Sequence, residues 1–215
     1  MARIPYPEAA RTLLRTTVIA AVDDLVRSRG WSATTMSDVA AAAGVSRQTL
    51  YNEFGSRPAL VEAYVASEIE KLIAEVTAAV HAHADDAHEA LRSAFELFLR
   101  LASDEPVVKA IVADAEPGEL IRLLTGLGQA IAVERVAVLI PQVWPQVGPA
   151  DAELLAESLV RLAISHALVP TSQSPDAVAR DVGRMLAPFV DQVLAVPPAP
   201  GIRRQAAGAA SRPRG

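Results

Sequence analysis

The chain has 215 residues, 51% of them hydrophobic, with a formal net charge of −5 and no cysteine. This length suffices for a small domain plus a larger one with a sizeable core, and the composition excludes a disordered chain. The lack of cysteine excludes disulfides and cysteine-based metal sites, and the lack of an apolar leader or of an apolar run of about 18 residues predicts a soluble, cytoplasmic protein without membrane contact.

Two helices are predicted before residue 45. The first begins near Pro7 and ends at Gly30, and its apolar stripe consists of Leu14, Val18, Ala21, Val22, Leu25 and Val26. Thr35 and Asp38 have capping-box spacing, so the second helix should begin near Met36 and bury Met36, Val39, Ala40 and Ala43. Gly44 then allows a tight turn into a third helix.

The third helix is predicted between Ser46, a good N-cap, and Gly55, a typical stop. Leu50 and Phe54 point into a core, while the opposite face carries Arg47, Gln48, Tyr51 and Asn52. Arg and Gln match base edges in the major groove, and hydroxyl groups commonly bind phosphate oxygens. The pattern by itself leaves two readings open, a DNA-reading helix or an ordinary solvated face.

The segment WSATTMSDVAAAAGVSRQTLYNEFGSRPALVEAYV resembles the N-terminal domain of the TetR family of bacterial transcriptional regulators. The resemblance covers roughly residues 8 to 66. It includes the G-W before the threonine pair, the A-x-x-A-G-V-S turn, the T-L-Y of the third helix and the F-G-S-R that opens the fourth. The resemblance favours the DNA-reading interpretation of the third helix.

The resemblance implies an all-α fold with a helix-turn-helix at about 35–54, whose second helix enters the major groove of an operator. It implies base contacts from Arg47, Gln48 and Asn52. It also implies phosphate contacts from Thr34, Thr35, Thr49, Tyr51 and Arg57. Glu53 is acidic where phosphate would repel it, so we expect its side chain to turn away from DNA.

We expect a DNA-binding domain at 1–57, a helical effector-binding and dimerisation domain at 58–196 and a disordered tail at 197–215. The predicted helices of the second domain are 57–83, 86–102, 105–114, 119–140, 151–168 and 175–195. The proline-rich stretch 141–149 is predicted to be a loop. Gly126 and Gly128 would weaken the helix that contains them and leave room for a ligand or another helix.

The second domain of this family usually senses a ligand and forms a dimer, so two residue sets are expected. A hydrophobic effector, such as a fatty acyl compound, an alkane or an aromatic, would contact a pocket lined by Phe95, Phe98, Leu99, Leu124, Leu127, Ile131, Trp144 and His166. The last two helices would form a four-helix homodimer interface through Leu155, Leu159, Leu162, Val182, Met185 and Phe189. The alternative for both sets is that these side chains belong to the core of a single chain.

The charge is unevenly distributed, with a net +1 over residues 1–65, −10 over 66–199 and +4 over 200–215. An acidic body would leave the N-terminal head to contact DNA. The four arginines of the tail are either an inert end or a source of non-specific phosphate attraction.

Other chemistry has little support in the sequence. His81, Asp85 and His88 would share a helix face only if the fourth helix continued past the ADDA segment, so we expect no metal site. No GxSxG, Walker A, GxGxxG or HExxH motif occurs, and we expect neither catalysis nor a cofactor. The resemblance to the TetR family implies a repressor that a ligand releases from DNA, with a transcriptional activator or an architectural DNA-binding protein as alternatives.

Overall fold

The computed structural model describes residues 5–105, 108–109, 118–169 and 171–195, and every regular element within them is helical, which confirms the predicted all-α fold class. The helices are α1 Tyr6–Arg29, α2 Met36–Ala42, α3 Arg47–Phe54, α4 Arg57–Ala82, α5 Ala87–Asp104, α6 Gly118–Leu123, α7 Gln129–Val143, α8 Pro149–Leu168 and α9 Pro175–Ala195. A π-helical turn, Leu124–Gly128, joins α6 to α7.

Local capping defines the helix-turn-helix. The Thr35 side chain accepts from the Asp38 backbone, and the Asp38 carboxylate accepts from the Thr35 N–H at 3.0 Å, which is the predicted capping box. Ser46 accepts from the Thr49 N–H at 3.0 Å and begins α3. Gly44 and Gly55 adopt φ values of 68° and 80°, where a side chain would be strained.

A single core joins the head to the first half of α4. Val18 and Val22 of α1, Val39 of α2 and Leu50 of α3 are fully buried together with Leu60, Val61 and Tyr64 of α4. Burying each such side chain stabilises the fold by roughly 1.5–3 kcal/mol. Leu120 and Leu124 of the body join the same cluster, so the head and the body share apolar packing.

The body is a layered bundle of α4, α5, α7, α8 and α9. Phe95 of α5 packs with Ala163 of α8 and Val178 of α9, and Ile140 of α7 packs with Leu155 of α8. Ion pairs reinforce the layers at the surface. Arg92 of α5 binds Glu89, Glu96 and Asp176, and Arg135 of α7 binds Glu70 of α4 at 2.7 Å.

Two body boundaries differ from the prediction. The prediction of a loop from residue 141 was wrong, because α7 continues through Pro141 to Val143. A proline near the end of a helix removes only one backbone hydrogen bond, and the Trp144 N–H closes the last turn on the Ile140 carbonyl at 2.8 Å. Helix α8 starts at Pro149, since proline suits the first helical position.

Two predicted segments lie largely or wholly outside the described residues. They are the helix 105–114, of which only 105, 108 and 109 are described, and the tail 197–215.

The stretch Leu120–Val143 is long and apolar enough to cross a membrane by length and composition. In this fold it packs against α4 and α8, and Leu124, Ala132, Val136, Leu139 and Ile140 face the interior of the body. Its apolar composition is therefore accounted for in part by the interior of the bundle, and 22% of the apolar window is buried within the single chain.

Candidate DNA-binding face and effector cavity

Helix α3 presents one polar face to solvent. Arg47, Gln48, Tyr51 and Asn52 are exposed, whereas Leu50 and Phe54 on the opposite side are buried. Because residues three and four apart lie on the same side of a helix, the four polar side chains form one surface. The predicted base-reading residues are thus brought together on the part of the head that is open to a partner.

Gln48 and Asn52 interact across this surface. The Gln48 side-chain amide donates to the Asn52 Oδ1 at 2.8 Å, one helical turn away. The Gln48 carbonyl and the Asn52 amide N–H groups stay available to a base edge, and these are the groups that such side chains offer to adenine. Because Gln48 and Asn52 are four residues apart on a helix, their contact could be predicted from the sequence.

Glu53 ties α3 to α1. Its carboxylate accepts from Arg11 Nε at 3.0 Å and from Arg15 Nη1 at 2.8 Å, and the Arg15 guanidinium also lies 4.8 Å from the centre of the Phe54 ring. Although burial by itself would raise it, the pKa of Glu53 is lowered by the hydrogen bonds from the two arginines. The side chain points at α1, and its two arginine partners, 38 and 42 residues away in the chain, were not predictable from the sequence.

Two of the predicted phosphate contacts, the buried Thr34 and the exposed Thr35, already make hydrogen bonds within the head. The Thr34 side chain is only 2% exposed, and its hydroxyl donates to the Gly30 carbonyl at 2.8 Å. The Thr35 hydroxyl donates to the Asp38 carboxylate at 2.6 Å as part of the helix cap. Thr34 is therefore wrong as a phosphate contact, and Thr35 can donate to phosphate only by giving up its bond to Asp38.

Arg57 also has an internal role that the sequence did not indicate. Its guanidinium carbon lies 4.1 Å from the centre of the Trp31 ring, and its N–H groups donate to the Trp31 and Thr34 carbonyls at 3.0 and 3.3 Å. These contacts fasten α4 to the turn between α1 and α2. The predicted role of Arg57 in phosphate binding stays a prediction, beside these contacts that hold the head together.

The other two predicted phosphate contacts, Thr49 and Tyr51, belong to α3 itself. Tyr51 is 39% exposed on the α3 face. The half-buried Thr49 shares a hydrogen bond of 2.8 Å with the Ser46 hydroxyl at the start of the helix.

A cavity of about 170 Å³ lies inside the body. Helices α4, α5, α7, α8 and α9 all contribute to its wall, which is almost entirely aliphatic and aromatic. A cavity of about 150 Å³ with such a lining stays dry and accepts an apolar molecule of benzene size. Of the residues predicted to contact an effector, those that line it are Phe95, Phe98, Leu124 and Trp144.

The other four predicted pocket residues do not line this cavity. Leu99 is buried in the packing between α5, α8 and α9, and Leu127 is 39% exposed. Ile131 is half-buried outside the lining, and His166 packs edge-on against Phe95 with 6.3 Å between the ring centres. Helical periodicity does not distinguish a residue that faces a cavity from its neighbours in the core, so the sequence could not select the lining residues.

The cavity contains two carboxyl groups that the sequence analysis missed. Glu68 of α4 and Glu105 at the end of α5 both line it, and their carboxylates and that of Asp23 of α1 lie within 4.8 Å of one another. Asp23 accepts from the Tyr64 hydroxyl at 2.9 Å and from Arg27 at 2.7 Å. Burial and the neighbouring Glu68 raise the pKa of Glu105 to about 7.

The predicted dimer residues divide into two groups. Leu155 and Val182 are buried within the single chain, so their assignment to a dimer interface was wrong. Leu159, Leu162 and Phe189 are half-buried, and Met185 is 58% exposed. An interface on these helices would therefore use Met185 and the exposed parts of Leu159, Leu162 and Phe189.

The histidines near the α4–α5 turn do not form a joint site. Helix α4 ends at Ala82, and Asp86 caps α5 by accepting from the His88 and Glu89 backbone N–H groups. The His88 ring instead lies 2.7 Å from Asp191 of α9.

Comparison with known proteins places these features in a family. Residues 18–64 match the family model described as bacterial regulatory proteins, tetR family, and residues 86–188 match one described as bacterial tetracyclin repressor, C-terminal domain. The chain is 38% identical over 193 residues to the HTH-type transcriptional regulator AlkX of Mycobacterium tuberculosis, covering 88% of this chain and 91% of that protein.

Solved structures agree with this placement. The TetR family repressor AlkX from a Dietzia strain, described as implicated in biodegradation of n-alkanes, is 36% identical with a TM-score of 0.73, covering 84% of this chain and 96% of that one. A regulator from Pectobacterium atrosepticum, at 23% identity, 88% and 98% coverage and a TM-score of 0.63, shares the fold.

Proposed function

Because this chain belongs to the TetR family of bacterial regulatory proteins and is a DNA-binding transcriptional regulator, we propose that it represses transcription from a palindromic operator until a hydrophobic effector releases it. Proteins of this family bind DNA and dimerise, and an isologous dimer presents two heads to two half-sites. We assign the head to residues 1–57 and the effector-binding and dimerisation body to residues 58–196.

The observation that carries this proposal is the path of α4. Leu60 and Tyr64 lie in the core of the head, while Ile69 and Ile73, a few turns along the same helix, line the cavity. A molecule that widens the cavity pushes on α4, and α4 cannot move without its contacts to the head. Effector binding therefore changes the separation of the two heads, and DNA and effector weaken each other's binding equally.

Sequence recognition is assigned to Arg47, Gln48 and Asn52, supported by their exposure on one face of α3. Tyr51 and Thr49 contact phosphate at the edge of the same face. The surface is small, so few phosphate charges are neutralised per head and the dependence of affinity on salt should be modest.

The apolar lining supports a hydrophobic effector. A relative with 36% identity is implicated in biodegradation of n-alkanes, which is consistent with an unbranched hydrocarbon skeleton. A larger effector would have to displace lining side chains, since the cavity is about 170 Å³. That displacement supplies the force on α4.

The test is to capture genomic fragments on the purified protein, footprint the bound sites and measure release by candidate effectors. We expect short palindromic sites upstream of genes, and loss of binding when an unbranched C8 to C12 compound is added. Uniform coating of DNA would indicate an architectural role, and transcription that rises when the protein binds would indicate an activator. Either result would contradict the proposal.

A further inference from the structure

The effector cavity has one acidic end. Among the described residues that line it, Glu68 and Glu105 are the ones with charged side chains, and they lie at the end next to the head. Val80 of α4 and Trp144 line the opposite end, where the Trp144 N–H is already bonded to the Ala84 carbonyl at 3.0 Å. Along α4 the two ends are roughly 18 Å apart. A volume of about 170 Å³ spread over this length makes the cavity narrow.

The carboxyl groups at the acidic end have unused hydrogen-bonding capacity. Glu68 is 8% exposed, and its Oε1 accepts from Lys71 at 2.7 Å. The Oε1 of Glu105 is buried and, within the described part of the chain, has no hydrogen-bond partner. A buried polar atom without a partner is costly, so a ligand group that bonds to it gains affinity.

The protonation state of Glu105 determines which ligand groups can bind at the acidic end. Burial raises its pKa to about 7; the charges of Glu68 and Asp23 and a hydrogen bond with Glu68 add to the rise, and Arg27 opposes it. At neutral pH the carboxyl group is therefore partly protonated, and it can both donate and accept. A ligand carboxylate would meet the Glu68 carboxylate as a like charge in a largely apolar cavity, which is unfavourable.

We propose that the effector is an unbranched chain with a terminal hydroxyl group, of the primary alcohol class, whose hydroxyl binds between Glu68 and Glu105 while its chain lies along α4. The hydroxyl donates to the Glu68 carboxylate and accepts from the protonated Glu105 carboxyl group, in place of the hydrogen bond between the two, and the narrow apolar part of the cavity accepts the chain. This inference rests on the proposed function, because it names the ligand class of the same cavity.

The test measures binding to the full-length protein by titration calorimetry at pH 7 with four C8 probes, 1-octanol, octane, octanoate and octylamine. We expect 1-octanol to bind at least tenfold more tightly than the other three. Glu105→Leu should remove the preference for 1-octanol over octane. Glu105→Gln should reduce the difference in affinity between 1-octanol and octanoate, because a neutral amide repels a carboxylate less than the partly ionised Glu105 does.

Glu75→Gln provides the matched control, because Glu75 is an exposed residue on α4 outside the cavity lining. Thermal melting of each variant establishes that it is folded. Octanoate or octylamine binding as tightly as 1-octanol, no binding of any probe, or an unchanged preference in Glu105→Leu would each overturn the proposal.

A separate release assay on footprinted operator DNA distinguishes this proposal from the regulatory one. If 1-octanol binds selectively and does not release DNA, the assignment of the hydroxyl site to Glu68 and Glu105 is supported and the effector-release mechanism is contradicted. If octane and 1-octanol release DNA equally well, the effector-release mechanism is supported and the role of Glu68 and Glu105 in binding a hydroxyl group is contradicted.

Discussion

Gln48 and Asn52 hold each other in position on α3 before any DNA is bound, since the Gln48 amide donates to Asn52 at 2.8 Å. Base contacts by such side chains contribute roughly 1–3 kcal/mol of discrimination. We expect Gln48→Ala to lower affinity for the operator by this amount and to leave affinity for random DNA nearly unchanged, as measured by fluorescence anisotropy on both DNAs. Glu62→Ala, an exposed change on α4, is the control. Equal losses on both DNAs would rule out Gln48 as a base reader.

Arg57 makes contacts within the head that should stabilise the folded protein independently of DNA. It stacks on Trp31 and bonds to the Trp31 and Thr34 carbonyls, contacts that we expect to stabilise the head by about 1–3 kcal/mol together. Arg57→Ala should lower the melting temperature by several degrees, and Arg57→Lys should recover only part of the loss, because an ammonium group cannot reproduce the planar contacts. An unchanged melting temperature with a smaller salt slope of DNA binding would show instead that Arg57 binds phosphate.

The pKa of Glu105 predicts a pH dependence of stability. Because this carboxyl group has a pKa of about 7 in the folded protein and 4.5 as its reference value, the folded state binds more protons between these pH values. Stability should therefore fall as pH rises from about 4.5 to 7, with no further loss from this group above that range. Glu105→Gln should flatten this part of the curve of unfolding free energy against pH. Parallel curves for the two proteins would contradict the assignment.

At the scale of elements, Glu53 links α3 to α1 through ion pairs with Arg11 and Arg15. Its pKa is lowered, because hydrogen bonds from Arg15 and Arg11 outweigh its burial, so its stabilising effect is present above its reference pKa of 4.5 and is lost as pH falls through the lower folded value. Glu53→Gln should reduce the free energy of unfolding by about 1 kcal/mol at pH 7, in line with two partly exposed ion pairs. Urea titrations of both proteins at pH 7 and pH 3 provide the measurement. A difference that does not shrink at the lower pH would exclude the ion pairs as its cause.

How far sequence predicts an element depends on the range of the interactions that define it. The limits of α2 and α3 follow from Thr35, Ser46 and Gly55, whose capping contacts span a single turn. The continuation of α7 through Pro141 was missed, because it depends on packing between helices.

The candidate site shows the same limit. The exposed face of α3 was predictable from periodicity. The partners of Arg57 lie 23 and 26 residues away, and Glu68 and Glu105 meet only because α4 and α5 fold together, so no local pattern contains these contacts.

At the scale of the whole molecule, head and body are coupled by shared packing and not by a flexible linker. Leu120 and Leu124 of the body lie in the same core cluster as Leu50 of α3, and Leu124 also lines the cavity. Leu124 therefore belongs both to the wall of the cavity and to the core cluster that continues beneath the exposed face of α3. Under the proposed function, this shared side chain is a route by which a molecule in the cavity acts on the head.

Dimerisation is the remaining step that this coupling needs, and Met185 is its best local probe. Met185 is 58% exposed on α9, one turn before the half-buried Phe189 on the same face, an arrangement that favours burial by a second copy. Met185→Glu should therefore convert the dimer to a monomer in sedimentation or light scattering, and operator affinity should fall by at least tenfold because the two heads no longer bind together.

Val138→Glu is the matched control, since Val138 is 52% exposed on α7, outside the last two helices. We expect this variant to remain dimeric and to bind the operator normally. If Val138→Glu separates the subunits and Met185→Glu does not, the interface lies on α7. In that case the heads would be connected through the helix that forms one wall of the cavity, and effector binding would act on the dimer contact directly instead of through α4.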